Sequence, residues 1–148
     1  MSVFKKLFGS GQGKQQVDYY EEGMDLLADG KFHEALTSLR LALKENPGDP
    51  VILQQIAISY TRIGMTDEAA KTYRHVLQKN PKAAGAHYGL AFLLIRSGQS
   101  RDAVSHLKAI LANPPEGSDA AQHIQHAKST LAQIRGQTDD ADQKPDPF

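Results

Sequence analysis

Gly30, Gly64 and Gly98 stand 34 residues apart, and that interval constrains this chain more than any single segment does. The same interval separates Ala35, Ala69 and Ala103, and again Pro47, Pro81 and Pro115. An acid precedes each alanine, as Glu34, Glu68 and Asp102. A period of this length marks a chain assembled from copies of one supersecondary unit, each too small to bury its apolar face alone. The unit must therefore stack on itself, and the repeat decides the fold.

Within each unit the apolar spacing is helical twice over. The first segment carries Tyr19, Leu26 and Leu27, then Leu53, Ile56 and Tyr60, then Leu90, Leu94 and Ile95. The second carries Phe32, Leu36, Leu39 and Leu43, then Tyr73, Val76 and Leu77, then Leu107, Ile110 and Leu111. The recurring glycine is placed to end the first helix in a left-handed conformation. Thr66 and Ser100 read as N-caps of second helices. Asn46-Pro47 and Asn80-Pro81 read as stops, because proline cannot continue a helix. Asp49-Pro50 supplies a cap followed by a proline in the first turn. Gly23, Ala57 and Ala91 lie mid-way along the first helices, and Ala35, Ala69 and Ala103 early in the second. With nothing larger than a methyl at these places, two helix axes can approach toward the short end of the ~8–10 Å range. After the third unit, Ala120, Ile124, Ala127, Leu131 and Ile134 form the apolar stripe of a seventh helix. Ser118 or Asp119 is placed to cap it and Gly136 to stop it, and its expected role is to cover the end of the stack.

This pattern resembles the tetratricopeptide repeat over roughly residues 16–115. The departures are mild: the aromatic residue early in the first helix is Tyr19, then Leu53, then His87, and only the first unit keeps glycine at the first close-packing position. The resemblance implies an all-α fold, a right-handed α-solenoid of three helix–turn–helix hairpins (17–49, 50–83 and 84–115) plus a C-terminal capping helix over 116–136. A basic arm (1–16) and a disordered acidic tail (137–148) flank it. It also implies a concave groove, lined by the first helix of each unit, that takes a protein or peptide segment. In the first unit the lining residues are Tyr20, Met24 and Leu27. In the second they are Gln54, Gln55, Ile58 and Arg62, and in the third Tyr88, Phe92, Ile95 and Arg96. Tyr20, Met24, Ile58, Tyr88 and Phe92 are of the types enriched in interface cores. They suit a partner groove, with intramolecular packing as the alternative. Gly85 and Gly89 permit close approach of a ligand or of the adjacent helix. Arg62 and Arg96 either pair an acidic group on a partner or sit solvated against the helix dipole.

One branch of the family is excluded by residue type. Repeats that clamp a chaperone's C-terminal carboxylate need cations where this chain has Tyr20, Met24, Gln55, Gly85 and Gly89, so nothing there would hold a carboxylate. The expected function is a non-catalytic interaction adaptor. The alternatives are a small chaperone resembling bacterial secretion chaperones of three repeats, and a self-assembling scaffold. The last would use the arm segment "SVFKKLFG", in which Val3, Phe4, Leu7 and Phe8 share one side of a short helix. That arm can dock in a groove, rest on an anionic membrane surface, or stay without fixed structure.

Chemistry other than binding finds little support. The 148 residues contain no Cys, which excludes disulfides, thiolate catalysis and Cys-based zinc sites. Basic and acidic residues balance at 17 each, so nucleic acid is not an expected partner. No apolar run reaches the ~18 residues of a membrane span, and the expected location is the cytoplasm. No phosphate loop, dinucleotide glycine motif or nucleophile elbow occurs, so the chain is not expected to be an enzyme or to carry a cofactor. His123 and His126, three apart on the last helix, read as solvent-facing side chains, and His33, His75, His87 and His106 have no partner at motif spacing.

Overall fold

The computed structural model describes residues 16–142. Among them every regular element is a helix. α1 (Tyr19–Ala28) and α2 (Phe32–Glu45) form the first hairpin, and α3 (Pro50–Ile63) and α4 (Thr66–Lys79) the second. α5 (Ala84–Arg96) and α6 (Ser100–Ala112) form the third, and α7 (Ala120–Asp142) follows. The expected all-α class, three hairpins and a C-terminal helix, is the one observed. The packing divides the chain after Lys79 into two units, one containing α1–α4 and the other α5–α7.

Each hairpin turns on its glycine. Gly30, Gly64 and Gly98 have φ of 76°, 93° and 79°, a region that residues with a Cβ enter only at a cost. The turn brings the N–H of the next residue back onto a carbonyl five positions earlier. Lys31 donates to Leu26 at 2.9 Å, Met65 to Tyr60 at 2.9 Å and Gln99 to Leu94 at 2.8 Å. Donors and acceptors repeat at the same interval as the glycines, so all three turns close with one Schellman-type bond.

This closure corrects the placement of two caps. Thr66 and Ser100 are the first residues of α4 and α6 rather than their caps. The cap positions belong to Met65 and Gln99, whose carbonyls accept from Ala69 at 3.0 Å and Asp102 at 3.1 Å. Two residues join α3 to α4 and three join α5 to α6, so the residue that closes one helix also begins the next. Between hairpins, by contrast, Asp49 caps as expected: its side chain accepts from the N–H groups of Val51 at 2.9 Å and Ile52 at 3.3 Å.

The close-packing residues lie where the spacing puts them. Ala35, Ala57, Ala69, Ala91 and Ala103 are all at 0% exposure. Gly23 is buried too, and a Cβ there would lie 2.7 Å from Leu39 Cγ, which explains why the first unit uses glycine and the others alanine. Leu39 packs on Gly23 in the first hairpin, and Tyr73 and Val76 in the second and Leu107 and Ile110 in the third are likewise buried. Full burial of such an aliphatic side chain is worth roughly 1.5–3 kcal/mol. In the first unit the Arg40 guanidinium also donates to the Tyr60 hydroxyl, which ties α2 to α3.

The C-terminal helix differs from its expected bounds of 116–136. It starts at Ala120, after a turn in which Gly117 has φ of 108°, and it passes through Gly136 to Asp142. Gly136 is not left-handed, and no proline follows before Pro145, so nothing ends the helix there. The tail expected to be disordered from 137 is thus helical as far as 142. The basic arm, except for Gln16, and the tail beyond 142 lie outside the described residues.

Candidate functional site

In the first unit the expected site residues lie on α1 and α3, the first helices of adjacent hairpins. Asp18 starts α1 by accepting from the N–H of Glu21 at 3.0 Å, and Asp49 starts α3. From there Tyr20, Met24 and Leu27 follow one another at helical spacing, as do Gln54, Ile58 and Arg62. α3 turns Ile52, Leu53, Ile56, Ala57, Ser59 and Tyr60 into the core. Tyr20, Met24, Leu27, Gln54, Gln55 and Ile58 stay half-buried at its edge. A half-buried Met or Ile keeps apolar surface available to a partner. Arg62 is exposed, but its guanidinium lies 4.9 Å from the centroid of the Phe32 ring. Neither expectation for Arg62 included this cation–π contact, which holds the cation at the turn between α1 and α2.

In the second unit Tyr88 and Phe92, one turn apart on α5, have ring centroids 4.7 Å from each other. Burial raises the Tyr88 phenol above the ordinary tyrosine value of 10.0. The rings are extended by two imidazoles from α7. His126 stacks on Phe92 at 4.6 Å with planes 15° apart, and its Nδ1 lies 2.7 Å from the Tyr88 hydroxyl. His123 lies 4.9 Å from Tyr88, centroid to centroid. The reading of His123 and His126 as merely solvent-facing is therefore corrected: the three-residue spacing that puts both on one face of α7 presents both to α5. Part of the Tyr88 and Phe92 surface is spent on intramolecular packing, and the four rings make one aromatic patch. Ile95 is half-buried and Arg96 exposed in the last turn of α5. Gly85 is exposed and Gly89 half-buried.

A second histidine pair escaped the sequence reading. His87 on α5 and His106 on α6 face each other with their Nδ1 atoms 3.0 Å apart. Nineteen residues separate them in the chain. Only the hairpin geometry, which folds α6 back on α5, brings them together. Among the described residues no group of three or more His, Cys, Asp or Glu is arranged to hold a metal ion. Nor, among them, is any helix long and apolar enough to cross a membrane.

Comparison with known proteins bears on the whole arrangement. The Photosystem I assembly protein Ycf3 of Synechococcus sp. (strain WH7803) is 30% identical over 103 residues, which are 68% of this chain and 60% of that protein. The chain thus spans about three-fifths of that relative's length. A tetratricopeptide repeat protein structure from Parabacteroides merdae matches with a TM-score of 0.67 at 26% identity, over 82% of this chain and 46% of that one. The Yersinia enterocolitica type III secretion chaperone SycD, solved with a peptide of the translocator YopD, matches with a TM-score of 0.76. Its identity is 15%, over 85% of this chain and 99% of that one, so the likeness is one of fold. The family model described as tetratricopeptide repeat matches residues 26–76 and 63–126. With the 34-residue register, the glycine turns and the methyl-sized contacts all in place, the chain belongs to the tetratricopeptide repeat family.

Proposed function

We propose that this chain is a non-catalytic interaction module that holds a peptide or helix of a partner protein on the aromatic face of α5. The observation that carries the reading is the aromatic patch of Tyr88 and Phe92 with His123 and His126, a platform of flat rings at a surface position. Met24 and Ile58 offer apolar surface of the same kind on α1 and α3. Aromatic rings and Met give large contact area at low ordering cost, which is why interface cores favour them. The family supports the reading, since its relatives include proteins named for assembly and for receptor roles.

The test uses the full chain as bait in a native lysate, followed by titration of the captured partner. Tyr88→Ala/Phe92→Ala is expected to weaken that partner at least tenfold, as loss of central aromatic anchors does. Equal affinity for the variant and the unchanged chain, with the helical circular dichroism signal intact in both, overturns the reading.

A second reading is favoured by the SycD likeness in size and plan: a chaperone that shields an apolar segment of a client. It predicts a client that co-purifies at one-to-one stoichiometry and aggregates when the chain is withdrawn. A partner that stays soluble alone excludes it and leaves the adaptor.

A further inference from the structure

We infer that residues 3–8 of the chain's own basic arm cover, within the same molecule, the face of α1 that carries Tyr19, Glu22 and Leu26. One repeat later the same register positions hold Leu53, Ile56 and Tyr60 of α3, at 4%, 4% and 6% exposure. The hairpin before is what covers them. The Arg40 guanidinium of α2 donates to the Tyr60 hydroxyl, and Leu43 of α2 borders the same cavity as all three. Among the described residues no hairpin precedes α1, and Tyr19, Glu22 and Leu26 are each only half-buried. The end of a repeat stack needs a cover whose outer side is polar.

Charge selects the occupant. The face mixes two apolar side chains with a carboxylate, and Asp18 and Asp29 stand on the same side, one turn before Glu22 and two turns after it. Residues 18–29 contain no Lys or Arg. The first helices of the next two repeats, α3 and α5, contain no Asp or Glu. Acids are thus confined to the one first helix that the arm adjoins. The arm has the opposite makeup: Val3, Phe4, Leu7 and Phe8 bracket Lys5 and Lys6, and no acid occurs before Asp18. Its apolar side chains fit against Tyr19 and Leu26. A lysine lays its aliphatic stem on such a surface while its ammonium group reaches a carboxylate at the edge.

Connectivity places the contact within one molecule. α1 is 10 residues long, or about 15 Å. Residues 9–17 include Gly9, Gly11 and Gly13, and a glycine-rich stretch of that length spans about 15–18 Å. The arm can therefore turn back along α1. A tether whose span matches the distance holds its end at an effective concentration of about millimolar, above what a second copy at roughly micromolar supplies.

The experiment is zero-length carbodiimide cross-linking of the full chain, as an equal mixture of isotopically light and heavy material, followed by peptide mapping. Cross-links from Lys5 or Lys6 to Glu22 or Asp29 are expected within one isotope. Phe4→Asp/Leu7→Asp is expected to lose them and to speed hydrogen exchange in α1 by roughly tenfold or more, with α6 unchanged. Lys5→Glu/Lys6→Glu should speed α1 in the same way, and adding Glu22→Lys should restore most of the protection, which a folding defect would not allow. Cross-links that join light to heavy chains put a second copy on the face and overturn the inference. Exchange in α1 that neither arm variant moves overturns it too, as does protection of α1 that arises only when anionic vesicles are added. The partner-binding reading stands or falls separately, because its variants lie on α5.

Discussion

α3 begins with the Asp49 carboxylate on the N–H groups of Val51 and Ile52 and with Pro50 in its first turn. α5 occupies the same place one repeat later and begins with Ala83 and Ala84, with no side-chain cap at all. α5 also carries Gly85 and Gly89, each of which lowers helix stability by ~1 kcal/mol relative to alanine. The first of these helices is specified largely by its own sequence. The second is held by what packs on it: Ala86, Leu90, Ala91, Leu93 and Leu94 are buried, and Tyr88 and Phe92 are clasped by α7. Two copies of one structural unit thus divide local preference and tertiary contact differently, and the copy that leans on contact is also the one with the aromatic patch and the histidine pair.

The comparison breaks first at the core. Leu39→Ala and Leu107→Ala remove fully buried side chains from the first and third hairpins. Each is expected to cost ~2–5 kcal/mol in chemical denaturation. If α5 depends on packing, hydrogen exchange in Leu107→Ala should rise across α5 more than Leu39→Ala raises it across α1. Equal local effects would show that the two hairpins are built alike.

Overpacking comes next. Gly23→Ala puts a Cβ 2.7 Å from Leu39 Cγ, and Ala69→Leu forces three more carbons into a site with no exposed surface. Both should cost ~1–3 kcal/mol. A neutral Gly23→Ala in thermal melts would mean that Leu39 yields freely and that the first hairpin is looser than its burial implies.

The caps sharpen the contrast at a smaller scale. Asp49→Ala should lose ~0.5–2 kcal/mol, and Ala83→Asp, which writes the same cap into α5, should gain ~1 kcal/mol. An unaltered melting temperature for Ala83→Asp would place the weakness of α5 at its glycines instead. The smallest effect is expected at Gly136→Ala, where an added methyl meets nothing within 4 Å. The gain there is ~0.5–1 kcal/mol, read as slower exchange in the last turns of α7.

What the sequence made legible, and what it hid, follows from distance along the chain. Gly30, Gly64 and Gly98 announced the turns because a left-handed residue is a local demand, met within a few positions. Gly23 and the alanines announced the close contacts because they recur on one register. The two helix starts were misplaced by one residue because Thr66 and Ser100 have the chemistry of caps, while the tightness of the two- and three-residue links is a property of the closed turn. Gly136 misled for the complementary reason: glycine ends a helix only when its φ turns positive, and residue type alone does not say so. The contacts of Tyr88 with His126 and of His87 with His106 join residues 38 and 19 positions apart on different helices, and nothing periodic marks them. They depart from the repeat, so a reading based on recurrence passes over them.

The three identical turn closures also govern how such a chain can lengthen or shorten. A single residue inserted between Gly64 and Met65 would displace the N–H that reaches Tyr60 and open the hairpin. A whole 34-residue block added after Lys79 would leave every closure as it is. Growth by complete modules is therefore conservative for this architecture, while growth by single residues at a turn is not.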